Sequence, residues 1–329
     1  MDRRPAGQRR TNRPSAVNSE SAGQPEITVP EFPTKTLWHY TNTAGLLGIL
    51  GNVDKETEDD KPRSGTHRPL FHASAAQFLN DSREMTLGMG LVMEALQVLD
   101  ERGTFDNTPA AKAFLGAVTQ AIQQVIDRRY RHLIHCSTVS FSTKKDSLSQ
   151  WRAYGRGTGG FAIGFAPELF PRNTDAERIG GLGLQEVTYV TDTIEDRLLE
   201  GFNLFIAQAQ TEVRSGRPSE HSLHKAVQRL ALRAASVKHT GFSEEEEWRF
   251  VEPGFGRRRG EPNELDFRVG AAGLVPYREV PLPAEAVVGL SVGPGPYQYE
   301  NYIAAREMLR RYGYVDALRN VHCSDTPFR

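Results

Sequence analysis

The spacing of apolar and polar positions divides the chain into short strands and amphipathic helices. Thr36 to Thr41 (TLWHYT) reads as a strand. Asn42 or Thr43 then caps a helix whose apolar face is Leu46, Leu47, Ile49 and Leu50, closed by Gly51-Asn52. A second strand lies near Leu70 to Ala73. Glu84 to Glu101 places Leu87, Leu91, Ala95 and Val98 at helical spacing, and Ala111 to Tyr130 does the same with Phe114, Val118, Ile122, Val125 and Ile126. His135 to Ser142 reads as a buried strand and Phe161 to Phe165 as another. Between them Asp146 offers an N-cap to a short helix with Leu148, Trp151 and Tyr154 at three-residue intervals. Farther on, Leu184 to Val190 suggests a strand, and Ile194 to Val213 and Leu223 to Val237 give two amphipathic helices. Glu247 to Val251, Asp266 to Val269 and Ala286 to Val292 read as strands, with Pro276 and Pro281 to Pro283 marking connections. A helix from Tyr299 to Tyr312 stops at Gly313, and Val321 to Cys323 closes the chain as a strand. Strands at both ends with helices gathered in the middle argue for an α+β fold.

Composition narrows the class. The chain has 329 residues, 38% hydrophobic and 25% charged, enough to bury a large core. No apolar run approaches the roughly 20 residues that span a bilayer, and no secretory apolar core opens the chain, so neither export nor a membrane partner is expected. Two cysteines, Cys136 and Cys323, are too few for a disulfide scaffold and fit a reducing, cytoplasmic setting. A formal net charge of -1 supplies no global field for nucleic acid. Residues 1–27 carry Arg3, Arg4, Arg9, Arg10 and Arg13 with little to bury and read as a disordered basic tail. Residues 28–329 read as one α+β domain with a helical insertion at about 192–240.

The densest chemistry falls between Ile134 and Phe165, where two aromatic residues of a short helix precede Gly155, Gly157, Gly159 and Gly160. Side-chain-free positions allow tight turns or close approach to a ligand, and the stretch reads as the floor of a cleft. The glycines follow a helix and open a strand, the reverse of a dinucleotide fingerprint, and no phosphate-binding GxxxxGK[ST] loop occurs. His135-Cys136 and His322-Cys323 are neighbours on strands and point to opposite faces, so each pair offers one ligand at most and no metal site is expected. Arg257, Arg258 and Arg259 between two glycines form either a phosphate grip or a solvated hairpin tip.

Several of these residues together resemble a known bacterial family. Trp38-His39-Tyr40-Thr41, Leu79-Asn80-Asp81 with Glu84, Ser140-Phe141-Ser142, Gln150-Trp151 with Tyr154-Gly155, Gly160 to Phe165, Lys238 with Glu245, Glu247 and Arg249, Gly293-Pro294, and the ending Ser324 to Arg329 are similar to domain of unknown function 2971. More distantly, the opening strand with His39-Tyr40-Thr41 and the helix Gly45 to Leu50 resemble the ADP-ribosyltransferase superfamily. That likeness implies a split mixed sheet with a helical insertion. It also implies NAD as substrate and transfer of ADP-ribose to a protein or nucleic acid acceptor, as in a toxin or anti-phage defence effector. On it, Glu247 stabilises the sugar cation, Glu245 polarises the acceptor from the same strand face, His39 hydrogen-bonds a ribose hydroxyl, and Tyr40 is a further cofactor-binding residue. Trp151 or Tyr154 stacks on nicotinamide, Ser142 positions His39 or the amide, and Arg257 to Arg259 contact substrate. The residues also admit plainer readings: His39-Tyr40 as a structural pair, Trp151 as core, Glu244 to Glu247 as a strand entry balanced by Lys238 and Arg249, and Asn80, Asp81 and Glu84 as a helix cap. The alternative function is a module that senses a nucleotide or nucleic acid without turnover.

Overall fold

A computed structural model describes residues 33–53, 67–78, 82–127, 136–155, 159–170, 183–191, 198–199, 202–214, 219–253, 266–270 and 273–327. The expected basic tail and the Arg257 to Arg259 cluster lie outside these residues, as do His132, His135, Asn80, Asp81 and Gly157.

The chain opens with β1 (Leu37–Thr41) and α1 (Thr43–Leu50), joined by Asn42, whose side chain accepts from the Gly45 amide as an N-cap. Then come β2 (Leu70–Ala75), α2 (Ser82–Glu101), α3 (Pro109–Ile126), β3 (Cys136–Ser142), α4 (Leu148–Tyr154) and β4 (Phe161–Phe165). The segment expected as one strand from Leu184 to Val190 is divided into β5 (Gly183–Glu186) and β6 (Thr188–Val190). At Val187 the chain leaves one pairing for another, because β5 lies along β8 (Glu247–Pro253) while β6 runs parallel to β7 (Val237–His239). Between β6 and β7 lie α5 (Asn203–Arg214) and α6 (Glu220–Ala234). After β8 follow β9 (Asp266–Gly270), β10 (Gly273–Pro281), β11 (Val287–Val292), α7 (Gln298–Tyr312), α8 (Val315–Arg319) and β12 (Val321–Cys323). Gly313 at φ 88 ends α7, as its position after Tyr312 predicts.

β10 corrects the reading of Pro276 as part of a connection. Over Tyr277 to Pro281 this strand pairs with β2, and over Gly273 to Pro276 only with β9, so among the described residues Pro276 sits where one side of the strand has no neighbour and its missing N–H breaks no ladder there.

The sheet is mixed, antiparallel except where β11 meets β12, and the fold is α+β. It divides at β3. One edge of β3 is taken by β8 along its whole length, from Cys136 opposite Pro253 to Ser142 opposite Glu247. The other edge meets β1 at Ser142 and β2 at Ser137 and Thr138. Two cores result. On one face α2, α3, α5 and α6 pack together against Cys136 and Val251 through Met89, Val92, Leu96, Val118, Ile122 and Leu230. On the other, Phe71, Phe141, Ile163, Phe165 and Phe250 pack beneath α1, α7 and α8. The helices expected as an insertion at 192–240 thus share one apolar core with α2 and α3, because each is amphipathic and buries its stripe only against the others.

Candidate functional site

Residues directly opposite each other in neighbouring strands project on the same side of a sheet. Trp38 of β1 is opposite Ser142 of β3, and Ser142 is opposite Glu247 of β8, so these three form a row on the face that carries α2 and α6. Alternation then puts Ser140 and Arg249 on that face and Phe141 and Trp248 on the other.

Above this row five charged side chains converge. Arg249 donates through Nε to Glu247 Oε1 at 2.7 Å and through Nη2 to Glu247 Oε2 at 3.0 Å and Glu84 Oε2 at 2.8 Å; its Nη1 reaches the Ala235 carbonyl at 2.6 Å. Lys238 Nζ lies 3.0 Å from Glu247 Oε2, 2.8 Å from Glu245 Oε2 and 3.4 Å from Glu84 Oε1. Tyr189 accepts the Glu247 amide on its hydroxyl at 2.8 Å. Glu247 and Arg249 are 4% and 2% exposed. Burial pushes the Glu247 carboxyl up, but the charge and hydrogen bonds of Arg249, then Lys238 and the Ser140 hydroxyl, outweigh it and hold it at about 2. The ammonium of Lys238 loses from burial and gains more from Glu247, Glu245 and Glu84, so its pKa is raised. Three donors from Arg249 and Lys238 engage both oxygens of the carboxylate. Glu247 is therefore a buried anion with both oxygens paired.

Glu245 does not share a strand face with Glu247. It ends a 3-10 helix, Thr240–Glu245, and Glu246 follows at φ 42 in the left-handed region before β8 begins. The two carboxylates meet at Lys238 because the backbone turns between them, not because their parity matches. Ser142 Oγ ties this turn down, donating to the Glu245 carbonyl at 2.6 Å and accepting the Lys144 amide at 3.0 Å.

Next to the ionic group lies an aromatic cluster of Trp38, Tyr40 and Trp151, with half-buried Tyr154 packed at its edge. Tyr40 and Trp151 meet edge-on with centroids 4.6 Å apart. The Tyr40 hydroxyl donates to the Lys144 carbonyl at 2.7 Å and accepts the Ser147 amide at 3.0 Å. Asp146 is not the N-cap expected for α4; Ser147 holds that place without a side-chain bond. The Asp146 carboxylate instead accepts Trp151 Nε1 at 2.6 Å, Ser324 Oγ at 2.5 Å, Thr326 Oγ1 at 2.9 Å and the Asp325 amide at 2.9 Å. Partial burial raises its pKa and these four bonds lower it further, leaving it below the ordinary value. Gly160 serves packing: a Cβ there would stand 2.7 Å from the Gly155 Cα and 2.9 Å from the Thr41 carbonyl oxygen. Trp151 and Tyr40 are thus core residues with satisfied polar atoms.

The structure does not bring His39 to this face. Its ring packs on Phe71 at 5.2 Å and Phe141 at 5.7 Å, within the core on the opposite side of the sheet. Burial lowers its pKa, against the bond to Ser140 and with the charge of Arg268, so the imidazole is neutral and its Nδ1–H donates to the Ser140 carbonyl at 2.9 Å. The physical reason is parity: β1 turns Trp38 and Tyr40 one way and His39 the other. Of the expected site residues, Glu245, Glu247, Ser142, Tyr40, Trp151 and Tyr154 share a side, and His39 leaves it. Glu84 joins them, although the residues themselves read mainly as a helix cap; its place in the first turn of α2 and its part in the family resemblance are the hints. Tyr189 had no signal at all. Among the described residues no group of three metal-ligating side chains forms, and burial raises the Cys136 thiol to about 12.

No curated protein and no solved structure matches the chain significantly. Residues 150–250, which run from α4 through most of β8 and include Trp151, Tyr154, Lys238, Glu245, Glu247 and Arg249, match the model of a family described as "Protein of unknown function (DUF2971)".

Proposed function

We propose that the chain is a nucleotide-binding module that holds its ligand without turning it over, the face with Tyr154 and Glu245 meeting the ligand. The observation that carries this reading is the pairing of both Glu247 oxygens with buried cations. A carboxylate that stabilises a forming sugar cation needs an oxygen directed at the ribose, and both Glu247 oxygens point at Arg249 and Lys238. The position of His39 on the other face removes the second group that ADP-ribose transfer from NAD would use. Tyr154 lies half-buried at the edge of the aromatic cluster, where it supplies a ring for base stacking, and Glu245 engages Lys238 through one oxygen.

Calorimetric titration of the full chain with NAD, ATP and short oligonucleotides, paired with a nicotinamide-release assay on labelled NAD, tests the proposal. The expected result is binding of at least one of these ligands, weakened about tenfold or more by Tyr154→Ala, with no nicotinamide release. Release of nicotinamide that Glu247→Gln abolishes in a folded protein would overturn it in favour of ADP-ribosyl transfer. Failure of every nucleotide to bind would overturn both.

A further inference from the structure

Among the described residues β9 ends the sheet. Its pairing with β10 sets Phe267 opposite Pro276, which has no N–H, so that pair exchanges no bonds and the backbone groups of Phe267 and Val269 point out of the sheet. The outward Phe267 N–H is taken by the Asp266 carboxylate at 2.7 Å. On one face of this hairpin Phe267, Val269 and Leu274 are 54%, 89% and 65% exposed, Val269 and Leu274 being cross-strand partners. An open edge flanked by three uncovered apolar side chains invites a strand partner.

We propose that two copies of this chain associate edge to edge through β9, antiparallel about a two-fold axis beside Phe267. The backbone pattern and the charges select this register. The outward groups belong to Phe267 and Val269, so a bonded two-fold pair falls on one of them, while an axis at Arg268 would leave its central pair without backbone bonds. With the axis at Phe267, the two Phe267 residues exchange both backbone bonds, and Asp266 of each copy lies opposite Arg268 of the other. Each Asp266 then leaves its own Phe267 amide, which the partner carbonyl replaces, and draws the opposing guanidinium of Arg268 from Ser74, where it donates at 2.7 Å in the single chain, to the edge. The Phe267 rings adjoin on the uncovered face, so one step satisfies the edge and covers the apolar patch.

Sedimentation velocity of the full chain across its soluble concentration range tests this. The expected result is a reversible dimer that Phe267→Lys converts to monomer, with Asp266→Arg or Arg268→Asp alone weakening it about tenfold and the two combined restoring it. Because Arg268 also donates to Ser74 at 2.7 Å, a thermal melt accompanies each variant, and Phe267→Lys decides the matter should the Arg268 variants not fold. A wild-type chain that stays monomeric throughout, a dimer indifferent to Phe267→Lys, or folded charge variants whose combination gives no recovery would overturn the proposal.

Discussion

Arg249 is the residue on which the ionic group depends. It touches two carboxylates and a helix-end carbonyl, and its removal leaves Glu247 and Glu84 without their main counter-charge in a dry setting. Breaking a buried pair in this way costs about 3–5 kcal/mol, and Arg249→Met is expected to show a loss of that size in urea unfolding. Glu247 makes the same network pH-sensitive with a definite sign. Its folded carboxyl sits at about 2, below its ordinary value of 4.5, so its contribution to stability is complete above pH 4.5 and disappears as pH falls toward 2. Urea midpoints measured from neutral pH down to about 2 are expected to fall more steeply for the wild-type chain than for Glu247→Gln. A carboxylate held so far down by two cations is suited to fixing structure. A catalytic acid needs a softer environment.

At the scale of elements, two contacts hold pieces that are remote in the chain. The first is Asp146, which gathers Ser324, Asp325 and Thr326 after β12 onto the start of α4 and fixes the Trp151 indole. Asp146→Ala is expected to cost about 1–3 kcal/mol and to speed hydrogen exchange at the Asp325 and Thr326 amides. Unchanged exchange there would show that the carboxylate does not hold the segment. The second is the crossing of α2 and α6 at Gly88, where a Cβ would stand 2.3 Å from the Ala234 carbonyl oxygen. Gly88→Ala is expected to force the two helices apart at a cost of about 1–3 kcal/mol, read as a lower thermal midpoint. Most elements were legible because periodicity, caps and stop signals coincide, as at Asn42, Gly313 and Trp151. The misread ones have local causes. Pro276 argued against a strand that its one-sided pairing permits, and Leu184 to Val190 looked continuous because a change of partner at Val187 leaves no mark in composition.

For the molecule as a whole, the sheet decides which side chains can cooperate. β3 stands at its division, and the even-numbered residues of β3 meet the helical layer while the odd ones meet the second core. Glu84 from α2, Lys238 from β7 and Arg249 from β8 come together only because the helices close over that face. By itself the sequence determined most of the strands and helices, the absence of a phosphate loop, and the residue types available for an acidic and aromatic site, since each follows from local spacing and chemistry. Parity within β1 was legible too, and it separates His39 from Tyr40. Only the tertiary structure decided that the His39 side is an apolar core, that both Glu247 oxygens are paired, and that Asp146 serves the far end of the chain. Those outcomes depend on which strands become neighbours and on what covers each face, and contacts between residues more than 100 positions apart leave no trace in local pattern.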